Sequence, residues 1–189
     1  MNDPKIREHL KQLYLKQVDI PALIVDELGV LQGKSIVDIG VITPHSLEGF
    51  EIKSADDTLY RLPGQIESYN QVFDYLSIIT EPKYIEKVSA MVPSFWGIIQ
   101  TEDTPSGVTF VYNRLPTQNP YVDKRKVVEL LWKSEVCAVL HELGDRGYST
   151  LRREKLWDRL CEKVDLTQLK RHIYIMMKRR VNWKESVTK

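Results

Sequence analysis

Two short apolar runs that carry charged side chains constrain the fold of this chain most. The first is residues 35–42 (SIVDIGVI) and the second is residues 49–53 (GFEIK). Both have the length and composition of buried strands, and the polar turn between them predicts a hairpin. Alternate side chains of a strand share a face, so Glu51 and Lys53 point to one side, next to Asp38 on the neighbouring strand. Because a buried carboxylate needs a partner, this pattern predicts either a metal site or a structural ion pair.

The composition is that of an ordinary globular protein. The 189 residues are 42% hydrophobic and 28% charged, which separates the chain from disordered proteins. The first residues lack the apolar segment of a signal peptide, and no later run reaches the ~18 apolar residues that span a bilayer. We therefore expect a cytoplasmic protein without a membrane partner. The two cysteines are expected to be reduced, and the sequence does not specify an oligomeric state.

Charge is distributed unevenly along the chain. Residues 1–120 contain 10 Lys and Arg against 16 Asp and Glu, and residues 121–189 contain 17 against 10, so the net charges are −6 and +7. The strongest basic cluster is the run Lys178, Arg179 and Arg180. A basic C-terminal third indicates a polyanionic partner such as nucleic acid, although such a run is also typical of a solvated helix end.

The N-terminal part of the chain predicts alternating strands and helices. A first helix from Asp3 to Lys16 precedes a short helix over 21–28, whose apolar start is equally compatible with extended chain. The hairpin strands and a helix starting near Pro63 come next. Further elements are then predicted as a strand at 76–80, a helix at 82–90 and strands at 95–100 and 109–112. This order predicts a mixed α/β layer with parallel crossovers.

The C-terminal part predicts only helices. They are expected over 124–143, from about 149 to 164 and over 165–180. The segment from Asn113 to Pro120, with two prolines and two asparagines, is the best boundary candidate. We therefore divide the chain into a core of residues 1–115 and a basic helical region of residues 116–189 that packs on that core.

The charged strand residues suit metal chemistry. Magnesium prefers carboxylate oxygens, and Asp38 and Glu51 would supply two of them. A bound Mg²⁺ or Mn²⁺ ion would activate a water for attack on phosphorus, and Lys53 would orient that water or offset the developing charge. The same three residues also fit a plain ion-pair cluster, because an E-x-K tripeptide on its own is common.

The spacing of these residues resembles that of the PD-(D/E)XK phosphodiesterase superfamily. The match consists of Val37–Asp38, twelve intervening residues and Glu51–Lys53, with valine where the family pattern has proline. The following helix carries Gln65 and Tyr69, which is similar to the Gln-x-x-x-Tyr motif of the RecB-like branch. Residues 20–100 also resemble an uncharacterised bacterial branch of the superfamily.

The resemblance implies a restriction-endonuclease-like α/β fold, a mixed β-sheet flanked by helices with a C-terminal helical extension. It also implies that Gln65 and Tyr69 join the catalytic site, although Tyr69 fits the apolar stripe of its helix as well. Members often carry another acid on the helix before the first motif strand, and Glu27 is the candidate third metal ligand, with Glu8 a weaker one. Arg61 is suited to binding phosphate or to remaining solvated.

These observations predict a metal-dependent nuclease, with DNA as the expected substrate. The alternative is a non-catalytic nucleic-acid-binding module of a repair or defence assembly. A third possibility is a protein-interaction subunit whose basic helices dock on an acidic partner. The sequence does not choose between DNA and RNA or between internal and end-dependent cleavage.

Overall fold

The computed structural model describes residues 3–17, 21–53, 59–104, 107–180 and 185–187. Seven α-helices and seven β-strands occur within these ranges. The helices are α1 (Asp3–Gln17), α2 (Leu62–Asn70), α3 (Ile85–Met91), α4 (Lys124–Val127), α5 (Lys133–Glu142), α6 (Arg153–Lys163) and α7 (Leu166–Lys178). The strands are β1 (Leu23–Val30), β2 (Ser35–Ile42), β3 (Leu47–Lys53), β4 (Tyr75–Thr80), β5 (Gly97–Thr104), β6 (Gly107–Arg114) and β7 (Glu185–Val187).

All described strands belong to one mixed sheet, in the order β6-β5-β4-β3-β2-β1-β7. The β2–β3 hairpin is antiparallel, as the turn between its strands predicts. Strands β3, β4 and β5 are mutually parallel, and α2 and α3 provide the connections between them. The predicted fold class, a mixed α/β sheet flanked by helices with further helices at the C-terminal end, is confirmed.

The two faces of the sheet bury separate apolar clusters. On one face, Ile6 and Leu10 of α1 pack on the smaller cluster, which includes Ile24, Ile39 and Ile52. The larger cluster covers the other face and combines side chains of α2 and α3 with those of α5, α6 and α7. The N-terminal and C-terminal helices share this cluster. The division proposed at residue 115 therefore marks a change in sequence composition, and one apolar cluster includes residues from both sides of it.

A buried ion pair ties the C-terminal helices to the sheet. Lys170 of α7 donates to Asp74, just before β4, at 2.5 Å, and the other Asp74 oxygen accepts the Leu47 amide at 2.8 Å. The start of α7 is also specified locally. Asp165 and Gln168 form a reciprocal capping box, in agreement with the predicted helix start at Asp165.

Two helix predictions are corrected by the structure. For residues 21–28 the extended alternative is confirmed and the helix is wrong, because the apolar segment from Leu23 pairs with β2 as strand β1. The single helix predicted over 124–143 is interrupted at Leu131 and Trp132, which have extended backbone. That break is stabilised by one tertiary bond, from the Trp157 indole to the Leu131 carbonyl at 3.2 Å, and by one local capping bond, from the Trp132 amide to Glu135 at 2.7 Å. The described helices are all too short or too polar to span a lipid bilayer.

Candidate functional site

The predicted site residues lie where β2 and β3 stop pairing. The paired residues run from Ile42↔Leu47 to Ile39↔Phe50, and beyond them side chains satisfy the backbone. The Ile52 amide donates to Asp38 Oδ2 at 2.7 Å, and the Tyr69 hydroxyl lies 2.5 Å from the Ile36 carbonyl oxygen. We call residues 36–38 and 51–53 the strand fork. Buried backbone groups need hydrogen-bond partners, and here polar side chains replace the missing bonds between the strands.

Glu51 lies at the centre of a buried hydrogen-bond cluster. Its side chain and that of Lys53 are each 3% exposed, and Lys53 Nζ donates to Glu51 Oε1 at 2.7 Å. Gln65 Nε2 donates to the same oxygen at 2.6 Å, while the Tyr69 hydroxyl lies 2.9 Å from Oε2. Strand periodicity places Glu51 beside Lys53, and the i, i+4 spacing of α2 places Gln65 above Tyr69. The structure therefore brings these four predicted residues together.

Tyr69 serves the core and the cluster at once. Its ring is fully buried in the larger apolar cluster, 6.4 Å from the Trp96 ring and nearly parallel to it. Burial raises the pKa of its hydroxyl far above the ordinary range, and the adjacent Glu51 carboxylate raises it further. The hydroxyl consequently stays protonated and supplies one hydrogen, which the Ile36 carbonyl and Glu51 compete for.

Asp38 has a different cation from that of Glu51. Arg7 of α1 donates to Asp38 Oδ1 at 2.7 Å and to the Asp38 carbonyl at 2.9 Å. Glu51 pairs with Lys53 of its own strand, on the face that carries α2, whereas Arg7 reaches Asp38 from α1, which packs on the other face. Arg7 was not among the sequence-predicted residues, and no local pattern in α1 marks it.

The fork does not fit a magnesium site in this arrangement. All four carboxylate oxygens of Asp38 and Glu51 already lie within hydrogen-bond distance of protein donors. Across the described ranges, no group of three His, Cys, Asp or Glu side chains is placed to hold a metal ion. A divalent ion would have to displace Arg7 or Lys53, so we derive no chemistry from a metal here.

The predicted third acid is not where the sequence suggested. Glu27 lies in β1 rather than on a helix, is exposed, and has a φ of +52°. The weaker candidate, Glu8, is an exposed residue of α1 that accepts a hydrogen bond from Gln12 at 2.9 Å. The placement of Glu27 on a helix is therefore wrong, for the same reason that β1 was mispredicted.

An open cleft lies next to the fork, between the start of β2 and the start of α2. It has a volume of about 690 Å³ and is lined by residues that include Lys34, Ile36, Tyr60, Arg61 and Gln65. Tyr60 is 89% exposed, and Lys34 and Arg61 are exposed cations. The Gln65 amide joins cleft and fork, because its Nε2 binds Glu51 while its buried Oε1 has no hydrogen-bond partner among the described residues. We call this surface the α2 cleft.

Sequence reasoning selected only Arg61 and Gln65 of the α2 cleft. Tyr60 and Lys34 were missed, although an aromatic residue directly before an arginine at a helix start was a usable signal. Leu59 and Leu62 are buried on either side of Tyr60 and Arg61. The short turn between them therefore exposes the Tyr60 and Arg61 side chains to solvent.

The three basic residues at the end of α7 differ in exposure. Arg180 is 9% exposed and donates to both oxygens of Glu135, at 2.6 and 2.7 Å, and to the Leu130 carbonyl at 2.7 Å. Its guanidinium is therefore occupied inside the protein, which does not suit the predicted nucleic-acid contact. Lys178 and Arg179 remain exposed, the first beside Tyr174 and the second 3.7 Å from Glu142.

Comparison with known proteins points away from nucleases. Residues 3–187 match the family described as Bacteriophage P4 protein cII. The chain is 28% identical over 171 residues to Protein cII of Enterobacteria phage P4, an alignment that covers 90% of the chain. The chain spans only 64% of the length of that relative. No solved structure matches the chain.

These matches overturn the predicted identity. The resemblance to the PD-(D/E)XK superfamily, its RecB-like branch and an uncharacterised bacterial family is wrong, because the matching family is that of a phage protein that is not described as a nuclease. The predicted function as a metal-dependent nuclease, and with it the enzyme class, is wrong for the same reason. A few residues at motif spacing proved compatible with a purely internal hydrogen-bond cluster.

Proposed function

The chain belongs to the Bacteriophage P4 protein cII family, and from this premise we propose that it is a non-catalytic nucleic-acid-binding protein with DNA as the expected ligand. The observation that carries the proposal is the α2 cleft, whose lining combines an exposed aromatic ring with two exposed cations. A base can stack on Tyr60 while Arg61 and Lys34 bind the flanking phosphates. Such a surface needs no metal and no catalytic group.

The fork supports this proposal by stabilising one wall of the cleft. Glu51 and Lys53 neutralise each other in the interior, so neither is presented to a ligand. Through Gln65, the cluster fixes the first turn of α2, which carries the end of the α2 cleft nearest Arg61. The predicted catalytic residues thus acquire a positioning role.

The charge of the cleft limits the affinity to be expected. Lys34 and Arg61 provide two positive charges, and Glu67, which also lines the cleft, provides one negative charge. If the two cations contact two phosphates of a single strand, the slope of log K against log salt should be about −1.4. Binding should accordingly be modest and measurable at low salt.

The test is fluorescence anisotropy of a labelled 12-nucleotide oligo-dT with the full chain, at low salt and in the presence of a chelator. Tyr60→Ala should weaken binding about 5- to 150-fold, because loss of base stacking is worth ~1–3 kcal/mol. Arg61→Ala should weaken binding and make the salt slope shallower by about 0.7. Matched controls are Tyr121→Ala and Arg171→Ala, which remove an exposed tyrosine and an exposed arginine outside the cleft.

Two results would overturn the proposal. One is the absence of binding by the wild-type protein to single-stranded and double-stranded DNA and RNA at low salt. The other is binding that Tyr60→Ala and Arg61→Ala leave unchanged relative to the controls. With Mg²⁺ added, the oligonucleotide should be recovered at full length on a denaturing gel.

A further inference from the structure

A second cleft lies on the other side of the turn that precedes β2. It has a volume of about 600 Å³, and its lining includes Gln32, Gly33, Trp132, Lys133 and Arg153. Gly33 lines both this cleft and the α2 cleft. The two concave surfaces therefore meet at the turn Leu31–Gly33. We call the second surface the Trp132 cleft.

Trp132 is an immobilised aromatic side chain that is still open to solvent. Its backbone amide donates to Glu135, and the Arg180 guanidinium lies 4.1 Å from the centre of its ring. Arg180 is itself held by Glu135 and by the Leu130 carbonyl, so the ring rests on a buried cation with fixed partners. Even so, Trp132 is 53% exposed. A fixed indole with much of its surface exposed is a prepared stacking platform.

The charges around Trp132 suit phosphate groups. Lys133 and Arg153 are exposed cations of the lining. Arg153 is oriented by the Trp157 ring, 4.8 Å from its guanidinium, and by a 2.6 Å bond to Gln32 Oε1. The acid of the lining, Glu129, already pairs with Arg125 at 3.0 Å and with Lys126 at 3.6 Å. The Trp132 cleft is thus positively charged on balance.

The turn between the clefts is held in an unfavourable conformation. Leu31, Gln32 and Gly33 have φ values of +50°, +58° and +86°, and the first two are not glycines. Left-handed backbone at such residues costs ~1 kcal/mol or more each and persists where surrounding contacts enforce it. The contacts of Gln32 with Arg153 and Glu129 provide that enforcement. Gly33 is exposed, with open space where a Cβ would lie. No side chain of this residue therefore separates the two clefts.

We infer that the two clefts form one continuous binding track for single-stranded nucleic acid, which crosses the chain at Gly33 and stacks bases on Tyr60 and Trp132. This inference rests on the proposed function and specifies its ligand. Two separate platforms require bases that are free to leave a stack, which a duplex does not offer without unpairing. The cations Lys34 and Arg61 at one end, and Lys133 and Arg153 at the other, would follow the phosphate backbone.

The experiment extends the anisotropy measurement to Trp132 and Lys133. Trp132→Ala should weaken binding of the 12-nucleotide strand at least 5-fold, whereas Trp132→Phe, which keeps an aromatic face, should stay within about 2-fold of wild type. Lys133→Ala removes only an exposed cation, so folding is preserved, and the salt slope should become shallower by about 0.7. A 12-base-pair duplex should bind at least 10-fold more weakly than the single strand.

The outcomes separate the inference from the function on which it rests. If no oligonucleotide binds to the wild-type protein, the proposed function fails and the track fails with it. If binding depends on Tyr60 and Arg61 but not on Trp132 and Lys133, the track is refuted while the α2 cleft remains the binding site. Equal affinity for duplex and single strand would also refute the track. Urea unfolding of each variant verifies that a loss of binding is not a loss of folding.

Discussion

The strand fork and the Arg180 cluster, which consists of Arg180, Glu135 and the backbone at Leu130 and Trp132, both bury a carboxylate with a cation, but the hydrogen bonds to the two carboxylates are distributed differently. Glu51 is held by three side chains, Lys53, Gln65 and Tyr69, all within 18 residues of it in sequence. Glu135 depends on one side chain, Arg180, which is 45 residues away, and on the nearby Trp132 amide. The comparison indicates that the first carboxylate should tolerate loss of its cation better than the second.

The largest expected effect is that of Arg180→Met. Removing the guanidinium leaves Glu135 buried without its counter-charge, and we expect a loss of about 3–5 kcal/mol in the free energy of unfolding. Urea unfolding followed by circular dichroism measures it. Arg179→Met, at the exposed neighbouring position, should change stability by less than about 0.5 kcal/mol. A loss below about 1 kcal/mol for Arg180→Met would remove the distinction between the clusters.

A smaller loss is expected for Lys53→Met. Gln65 and Tyr69 still bind Glu51 in this variant, so we expect about 1–3 kcal/mol in the same unfolding assay. Lys87→Met, which replaces an exposed lysine of α3, is the matched control. If Lys53→Met destabilises the protein as much as Arg180→Met does, Gln65 and Tyr69 do not compensate Glu51 for the loss of its cation. The expected difference between the two carboxylates would then be refuted.

The smallest expected effect is a pH dependence of the free energy of unfolding, which arises from His172 in the C-terminal helical region. Burial lowers the pKa of His172 on α7, although Glu142 opposes the shift, and its buried Nδ1 has no hydrogen-bond partner within the described ranges. The unfolded chain binds a proton near the ordinary pKa of ~6.5, while the folded protein binds it only at lower pH. Stability should therefore decline as pH falls from about 7 toward the lowered pKa.

His172→Gln should flatten this pH dependence. Unfolding free energies at pH 5, 6, 7 and 8 measure it, and His45→Gln, at an exposed position, should leave the slope as in wild type. An unchanged slope in His172→Gln would show that burial of the His172 imidazole does not contribute to the pH dependence of the free energy of unfolding.

The fork was largely predictable because its geometry is local. A two-residue strand period brings Glu51 to Lys53, so spacing indicated that pair, whereas Gln65 and Tyr69 were selected through the resemblance to the Gln-x-x-x-Tyr motif and lie one helical turn apart. What spacing could not indicate was the purpose of the cluster. The same four side chains satisfy one another and the ends of a sheet ladder, which is sufficient reason for them to be present.

The errors arose where distant contacts override local preference. Residues from Leu23 suit a helix or a strand, and pairing with β2 decides for the strand. The helix predicted over 124–143 breaks where Trp157, which is 26 residues from Leu131, binds the Leu131 carbonyl; the bond from the Trp132 amide to Glu135 is a local capping contact. Arg180 looked like part of a basic surface, and only the fold shows that Glu135, on another helix, occupies its guanidinium.

The outer position of β7 has a consequence for how the protein is made. Strand β1 lies between β2 and β7, and among the described residues its second hydrogen-bonding edge pairs with 185–187. During translation that edge stays uncovered for more than 150 residues after β1 has emerged from the ribosome. Uncovered edges recruit other strands, and contacts this far apart in sequence form slowly. The nascent chain is therefore vulnerable to aggregation at β1 until β7 has been synthesised.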